Sequence, residues 1–200
     1  MLDVDFAIVP EEKVEFLHKM PPETAAQLAD TVGRGIRVLL DKDGITKTVL
    51  ASIPSEVVYH PPTEKEYHEL ISDFLYHCIF TAKRLRRGEL WWSKSCCDSY
   101  LKRLLLTMVE WHSRAVHGPE YDTWFRGRFL EKWADPRVLK ELREAFAYYD
   151  EKDIKRALMK SMGLFRWLAA ETGEILSYPY LTDADERVTS WVESVLSQIE

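Results

Sequence analysis

The sequence predicts an α+β chain, with two or three strands followed by a mainly α-helical bundle. Three observations carry this expectation. Strand-like apolar runs are confined to residues up to about Ile53, prolines at 54, 61 and 62 mark a break, and from Thr63 onward apolar residues recur at helical spacing. The expected boundaries are 1–55 for the strand-bearing part and 63–200 for the helical part.

Leu2–Val9 reads as the first strand. Asp3 and Asp5 are two apart, so both project from the same face of it. Burying a carboxylate is costly unless it is paired, hydrogen-bonded or metal-bound. Two on one face therefore suggest a site for a divalent cation, or a base that activates a hydroxyl for attack at phosphorus. A solvated strand end is the plainer alternative. Glu11–Leu17 and Thr24–Thr31 read as short helical pieces around Pro21-Pro22. Gly35–Leu40 reads as a second strand, Asp41-Lys42-Asp43-Gly44 as a turn, and Ile45–Leu50 as the returning strand, because Asp-Gly between β-branched runs favours a hairpin.

The helical part opens on a capping box, Thr63-x-x-Glu66. Tyr67, Leu70, Ile71, Phe74, Leu75, Cys78, Ala82 and Leu85 follow on one face, and Gly88 closes the helix. A second long helix is expected over Glu89–His112 and a shorter one around Tyr121–Trp133. A third should start at Asp135-Pro136, with proline at the first helical position, and run to Tyr149. Asp150 is placed to cap a helix reaching about Ala170. Thr182, Asp183 or Asp185 would cap the last one.

Composition narrows the possible functions. A hydrophobic fraction of 46% is ample for a substantial core. With 27 basic against 33 acidic residues, the net charge of −6 argues against a general nucleic-acid binder. No stretch approaches the roughly 20 apolar residues of a membrane helix, and nothing at the start reads as a signal peptide. Cys78, Cys96 and Cys97 are odd in number, and the adjacent pair is poorly placed for a disulfide, which fits a reduced, cytoplasmic setting. Gly-rich phosphate loops and the Gly-x-Ser-x-Gly elbow do not occur.

Two further clusters carry candidate chemistry. Lys83, Arg84, Arg86 and Arg87 could grip phosphate, although cations also suit the last turn of a helix. Trp91-Trp92, Asp98, Tyr100, Glu110 and Trp111 mix rings with acids along one helix. Rings beside carboxylates suit a cationic, sugar-like ligand, which makes Trp92, Asp98 and Glu110 candidate contacts; core packing explains the rings equally well.

Taken in order, the strand Leu2–Pro10, the segment Gly33–Gly44 with its Leu-Leu-Asp-Lys-Asp-Gly run, and the helix Gly88–His112 resemble the aminoglycoside 6-adenylyltransferases, the streptomycin adenylyltransferase family. The resemblance extends over essentially the whole chain. It implies that the strands are part of a nucleotidyltransferase sheet and that the helices form a substrate-binding domain. It also implies that ATP and Mg²⁺ serve the transfer of AMP to an aminoglycoside hydroxyl. By the same resemblance Asp5 matches the family's third carboxylate, as candidate base and metal neighbour, with Asp3 beside it. Asp41 and Lys42 would lie at the domain junction. The family's Gly-Ser helix start and its own earlier Asp-x-Asp strand precede this third strand, so the main catalytic motifs are expected to be missing from the chain. The alternatives are a non-enzymatic helical interaction module of the same descent and, less well matched, a helical RNase of the HEPN type. The Arg–His spacing required by that class is met neither by Arg103–His112 nor by Arg114–His117.

Overall fold

The structure, a computed structural model, describes residues 37–42, 44–52 and 59–197, together with Ala29 and Ile199. The chain divides into two compact units, Met1–Tyr59 and His60–Glu200. Among the described residues there is no strand, which corrects the α+β expectation and the partial sheet that went with it. Ile45–Ser52, expected to supply the returning strand, is an α-helix, α1. The error has a physical source: Ile45 and Val49 are four apart, an interval shared by the strand and helix periods, so their β-branched character tipped the reading. The Asp41 carboxylate accepts the Lys47 backbone N–H at 3.3 Å. It thus serves the orphan donors of a helix start, where a hairpin turn was expected. Arg37–Leu40 has no regular structure and is exposed, with Leu39 at 84%. The first expected strand, Leu2–Val9, lies outside the described residues.

The second unit follows its caps closely. Helix α2, Glu64–Arg86, starts on the complete capping box: Thr63 accepts from the Glu66 N–H, and the Glu66 carboxylate accepts from the Thr63 N–H. Hydrogen bonding to Thr63 holds the Glu66 carboxyl below its ordinary range. Gly88, at a φ of 74°, turns the chain after it. Next come α3, Leu90–Ser95, a π-helical turn, Cys96–Tyr100, and α4, Leu101–His117, in one continuous run. The expected helix around Tyr121–Trp133 is reduced to a 3₁₀ turn, Phe125–Gly127, and a single turn, α5, Leu130–Trp133. Helix α6, Pro136–Ala145, has Asp135 accepting from the Arg137 N–H. Helix α7, Glu151–Leu176, starts at Asp150, which accepts from Asp153, and runs six residues beyond the expected Ala170. Helix α8, Thr182–Leu196, lacks a side-chain cap.

Helix α7 is the axle of this unit. It runs antiparallel to α2, where the Tyr67 hydroxyl donates to the Ala169 carbonyl at 2.7 Å and Phe74 stacks on Phe165 at 3.8 Å. Tyr67, Ile71, Phe74, Cys78 and Leu85 from α2 meet Leu101, Leu105 and Met108 from α4 and Ile154, Leu158, Phe165 and Leu168 from α7, all fully buried. Fully burying one such aliphatic side chain is worth about 1.5–3 kcal/mol. Tight approach is enforced at Gly173, where a Cβ would fall 2.5 Å from the Tyr67 hydroxyl and 2.8 Å from the Tyr178 carbonyl oxygen.

Candidate functional site

Asp3 and Asp5 lie outside the described residues. Asp41 is half-buried and Lys42 exposed, both in the first unit. Among the described residues, no cluster of three or more His, Cys, Asp and Glu side chains could hold a metal ion. An open groove lined by Thr63, Glu64, Lys65, His68, Glu69 and Ser72 runs along the first turns of α2.

The π-turn organises the most elaborate polar cluster. A π-turn fits an extra residue into an α-helix and disturbs its ladder of backbone hydrogen bonds. The Lys102 ammonium donates to the Cys97 carbonyl at 2.8 Å and to the Ser161 hydroxyl of α7 at 2.8 Å. Burial pushes the Lys102 ammonium below its ordinary range and pushes the Cys97 thiol up to about 12. Asp98 faces the same lysine at 3.8 Å, pairs with Lys94, and accepts the Ala147 N–H through both oxygens at 3.2 and 3.3 Å. Its carboxylate is therefore the tether of the loop Phe146–Asp150 that follows α6. The other contacts of that loop point the same way: Arg156 donates to the Phe146 carbonyl at 3.0 Å, and Asp153 accepts the Tyr148 N–H.

Held in this way, the loop presents rings to solvent. Tyr148 is 81% exposed and Tyr149 58%, and on α3 Trp91 and Trp92 are 71% and 60% exposed. The Trp91 and Tyr149 rings meet edge-on, with centroids 6.4 Å apart. Large exposed rings offer flat apolar faces and ring edges for contact. Trp92 is exposed on α3, whereas Asp98 turns inward to Lys94, Lys102 and the Ala147 N–H. Glu110 lies twelve residues further along the helix, about 18 Å at 1.5 Å per residue, and is not part of this cluster.

A second surface lies at the other end of α6. Trp124, Arg126 and Phe129 have φ values of 51°, 53° and 53°, and Gly127 has 71°. Left-handed backbone costs an L-residue about 1–2 kcal/mol, so three within six residues amounts to stored strain. Packing holds it in place. The Trp133 indole donates to the Arg128 carbonyl at 2.9 Å, the Tyr121 hydroxyl donates to the Trp133 carbonyl at 3.1 Å, and Gly127 sits against the Leu106 side chain. The Trp124 and Phe129 rings meet edge-on at 4.7 Å. The Arg128 guanidinium lies 5.5 Å from the centre of the Phe129 ring, and the Lys132 ammonium 4.7 Å from it.

Three features escaped the reading of the sequence. Tyr148 and Tyr149 sat inside an expected helix, although Phe146-Ala147-Tyr148-Tyr149-Asp150 ends on a capping residue that could have marked a loop. The strained turn carries one glycine for four left-handed residues, so it left almost no trace. Asp73 and His77 are four apart on α2; Nδ1 of His77 lies 2.8 Å from the Asp73 carboxylate, and Tyr100 donates to that carboxylate at 2.9 Å. The i,i+4 spacing of the acid and the histidine was visible, but the tyrosine arrives only through the π-turn.

The family model for streptomycin adenylyltransferase matches residues 3–195. An aminoglycoside 6-adenylyltransferase of Staphylococcus aureus is 19% identical over 145 residues, which is 72% of this chain and 51% of that protein. A crystal structure of an aminoglycoside 6-adenyltransferase from Bacillus subtilis aligns with a TM-score of 0.61 and 21% identity, over 68% of this chain and 52% of that one, a likeness of fold. The chain spans about half the length of these relatives.

Proposed function

The chain belongs to the streptomycin adenylyltransferase family, and from that premise we propose that it is an aminoglycoside adenylyltransferase-like protein whose helical unit receives the cationic acceptor. The observation that carries the proposal is the set of exposed rings Trp91, Trp92, Tyr148 and Tyr149, with the loop that bears the tyrosines held by hydrogen bonds to Asp98 and from Arg156. Aminoglycosides and streptomycin carry ammonium or guanidinium groups on sugar-like rings. Flat apolar faces stack on such rings, and aromatic π-systems attract the cations. In this reading Trp92 contacts the ligand, Asp98 positions the loop that carries Tyr148 and Tyr149, and Glu110 is a carboxylate for a more distant cationic group.

The chemistry is assigned to the first unit. Asp5 takes the proton of the acceptor hydroxyl as that oxygen attacks the α-phosphorus of ATP, and the bond to pyrophosphate breaks. Asp3 and Asp5 would hold Mg²⁺, which when bound neutralises phosphate charge. Asp41 and Lys42 are assigned to the domain junction. The non-enzymatic binding module is the second reading.

Calorimetry tests the ligand assignment. Streptomycin should bind the chain at low ionic strength, and Trp92→Ala should weaken it about tenfold, within the range of a desolvated cation–π contact. Unchanged affinity in Trp92→Ala removes this surface from the proposal. Formation of adenylyl-streptomycin from Mg·ATP would show that the chain carries its own catalytic groups.

A further inference from the structure

We infer that the strained turn Trp124–Lys132 binds a polyphosphate anion. The source, the triphosphate of ATP or free pyrophosphate, rests on the adenylyl-transfer reading; the anion site does not. Charge is the first observation. The chain carries a net charge of −6, yet the Arg128 guanidinium and the Lys132 ammonium both stand on the Phe129 ring, at 5.5 and 4.7 Å from its centre. Neither has a carboxylate partner among the described residues. Both cations pack on the same ring without a carboxylate, and an anion with several oxygens would supply the missing counter-charge. Guanidinium offers a planar fork to phosphate and ammonium a compact point charge, so the pair is suited to phosphoryl oxygens.

Geometry is the second observation. The left-handed residues Trp124, Arg126 and Phe129 fold this segment into a tight turn that the Tyr121, Trp133 and Leu106 contacts keep rigid. Strain of this kind persists where surrounding structure over-determines it, and it gathers at ligand clamps. Its effect here is to set Arg128, Phe129 and Lys132 together while leaving all three exposed. The ring contacts hold the cations in place before any ligand arrives, which lowers the ordering cost of binding.

The test is titration of the chain with pyrophosphate, ATP and adenosine at low ionic strength, followed by calorimetry. Pyrophosphate and ATP should bind and adenosine should not. Arg128→Gln and Lys132→Gln should each weaken pyrophosphate about five- to tenfold, with helical circular dichroism unchanged because both side chains are exposed. Arg143→Gln, which removes an exposed cation from α6, should leave affinity unchanged. Equal affinities for pyrophosphate and ATP identify the free anion as a sufficient ligand; clearly tighter ATP identifies the nucleotide. The inference is overturned if pyrophosphate does not bind, if the Arg128 and Lys132 variants bind like the parent, if Arg143→Gln weakens binding equally, or if a single-stranded oligonucleotide binds more tightly. Streptomycin binding at the Trp92 surface is a separate readout: its loss with pyrophosphate binding retained fails the acceptor reading alone, and the reverse pattern fails this inference alone.

Discussion

Two ring-bearing turns flank helix α6, and they are built on opposite principles. After the helix, Phe146–Asp150 has no left-handed residue and is fastened by charge: Asp98 holds Ala147, Asp153 holds Tyr148, and Arg156 holds Phe146. Before it, Trp124–Lys132 is fastened by packing, carries left-handed backbone at four positions, and keeps Arg128 and Lys132 free of carboxylates among the described residues. The first turn spends its charges on its own backbone and leaves its rings for a ligand. The second spends its rings on holding cations and leaves the cations for a ligand. Where ionic groups satisfy one another they are scaffold, and where they do not they are the better place to look for binding.

The contrast can be broken experimentally, and pH should do most. Burial pushes Cys97, at the base of the charge-fastened loop, and Tyr67, in the core, up to about 12 from ordinary values of 9.0 and 10.0. The unfolded chain therefore loses these protons first. The stability they contribute is complete below about pH 9 and is lost as pH rises toward 12. The depressed Lys102 acts in the opposite sense, since the unfolded chain holds its proton more strongly. Cys78, Cys96, Tyr100 and Tyr180 are raised as well and act with Cys97 and Tyr67, so urea midpoints measured from pH 8 to 11 should decline. A flat profile would mean that the π-turn is hydrated.

Asp98→Ala comes next. It leaves Lys102 buried without its counter-ion and frees the Ala147 N–H, so urea denaturation should show a loss of about 3 kcal/mol. Streptomycin affinity should fall as the loop loosens, while pyrophosphate affinity should hold. Gly127→Ala probes the other turn. At a φ of 71°, with a Cβ 3.2 Å from a Leu106 methyl, alanine should cost about 1–2 kcal/mol, with pyrophosphate binding affected and streptomycin binding spared. Tyr149→Ala removes one edge-on ring contact with Trp91 and should cost about 0.5–1 kcal/mol or less. Smallest of all, Arg128→Gln should change stability by under about 0.5 kcal/mol, as surface substitutions do, while reducing anion affinity. A large stability loss there would make the cation a structural part and erase the distinction between the turns.

What the sequence disclosed divides along the same line. Thr63, Asp135 and Asp150 announced their helices because a cap is a local device: the side-chain acceptor and the N–H it serves are two or three residues apart. The resemblance that pointed to the family was legible for a similar reason, as ordered runs of neighbouring residues. Ile45–Ser52 was misread because its spacing satisfied two periods at once. The roles of Asp98 and Lys102 were hidden because their partners, Ala147 and Ser161, lie 49 and 59 residues away. The strained turn was hidden for another reason. Packing from Tyr121, Trp133 and Leu106 imposes its backbone, and local propensity had no vote.

The π-turn also fixes an angle. One residue more than a regular helix needs rotates everything downstream by about 100° relative to everything upstream. Trp91 and Trp92 lie before that offset, and Met108 and Glu110 lie after it. Deleting one residue from Cys96–Tyr100 would let the helix close into a regular spiral, and either the tryptophans would swing toward the core or Leu105 and Met108 would swing out of it. The turn thus works as an index mark on a shaft, setting which compass direction of one long helix meets solvent and which meets the bundle.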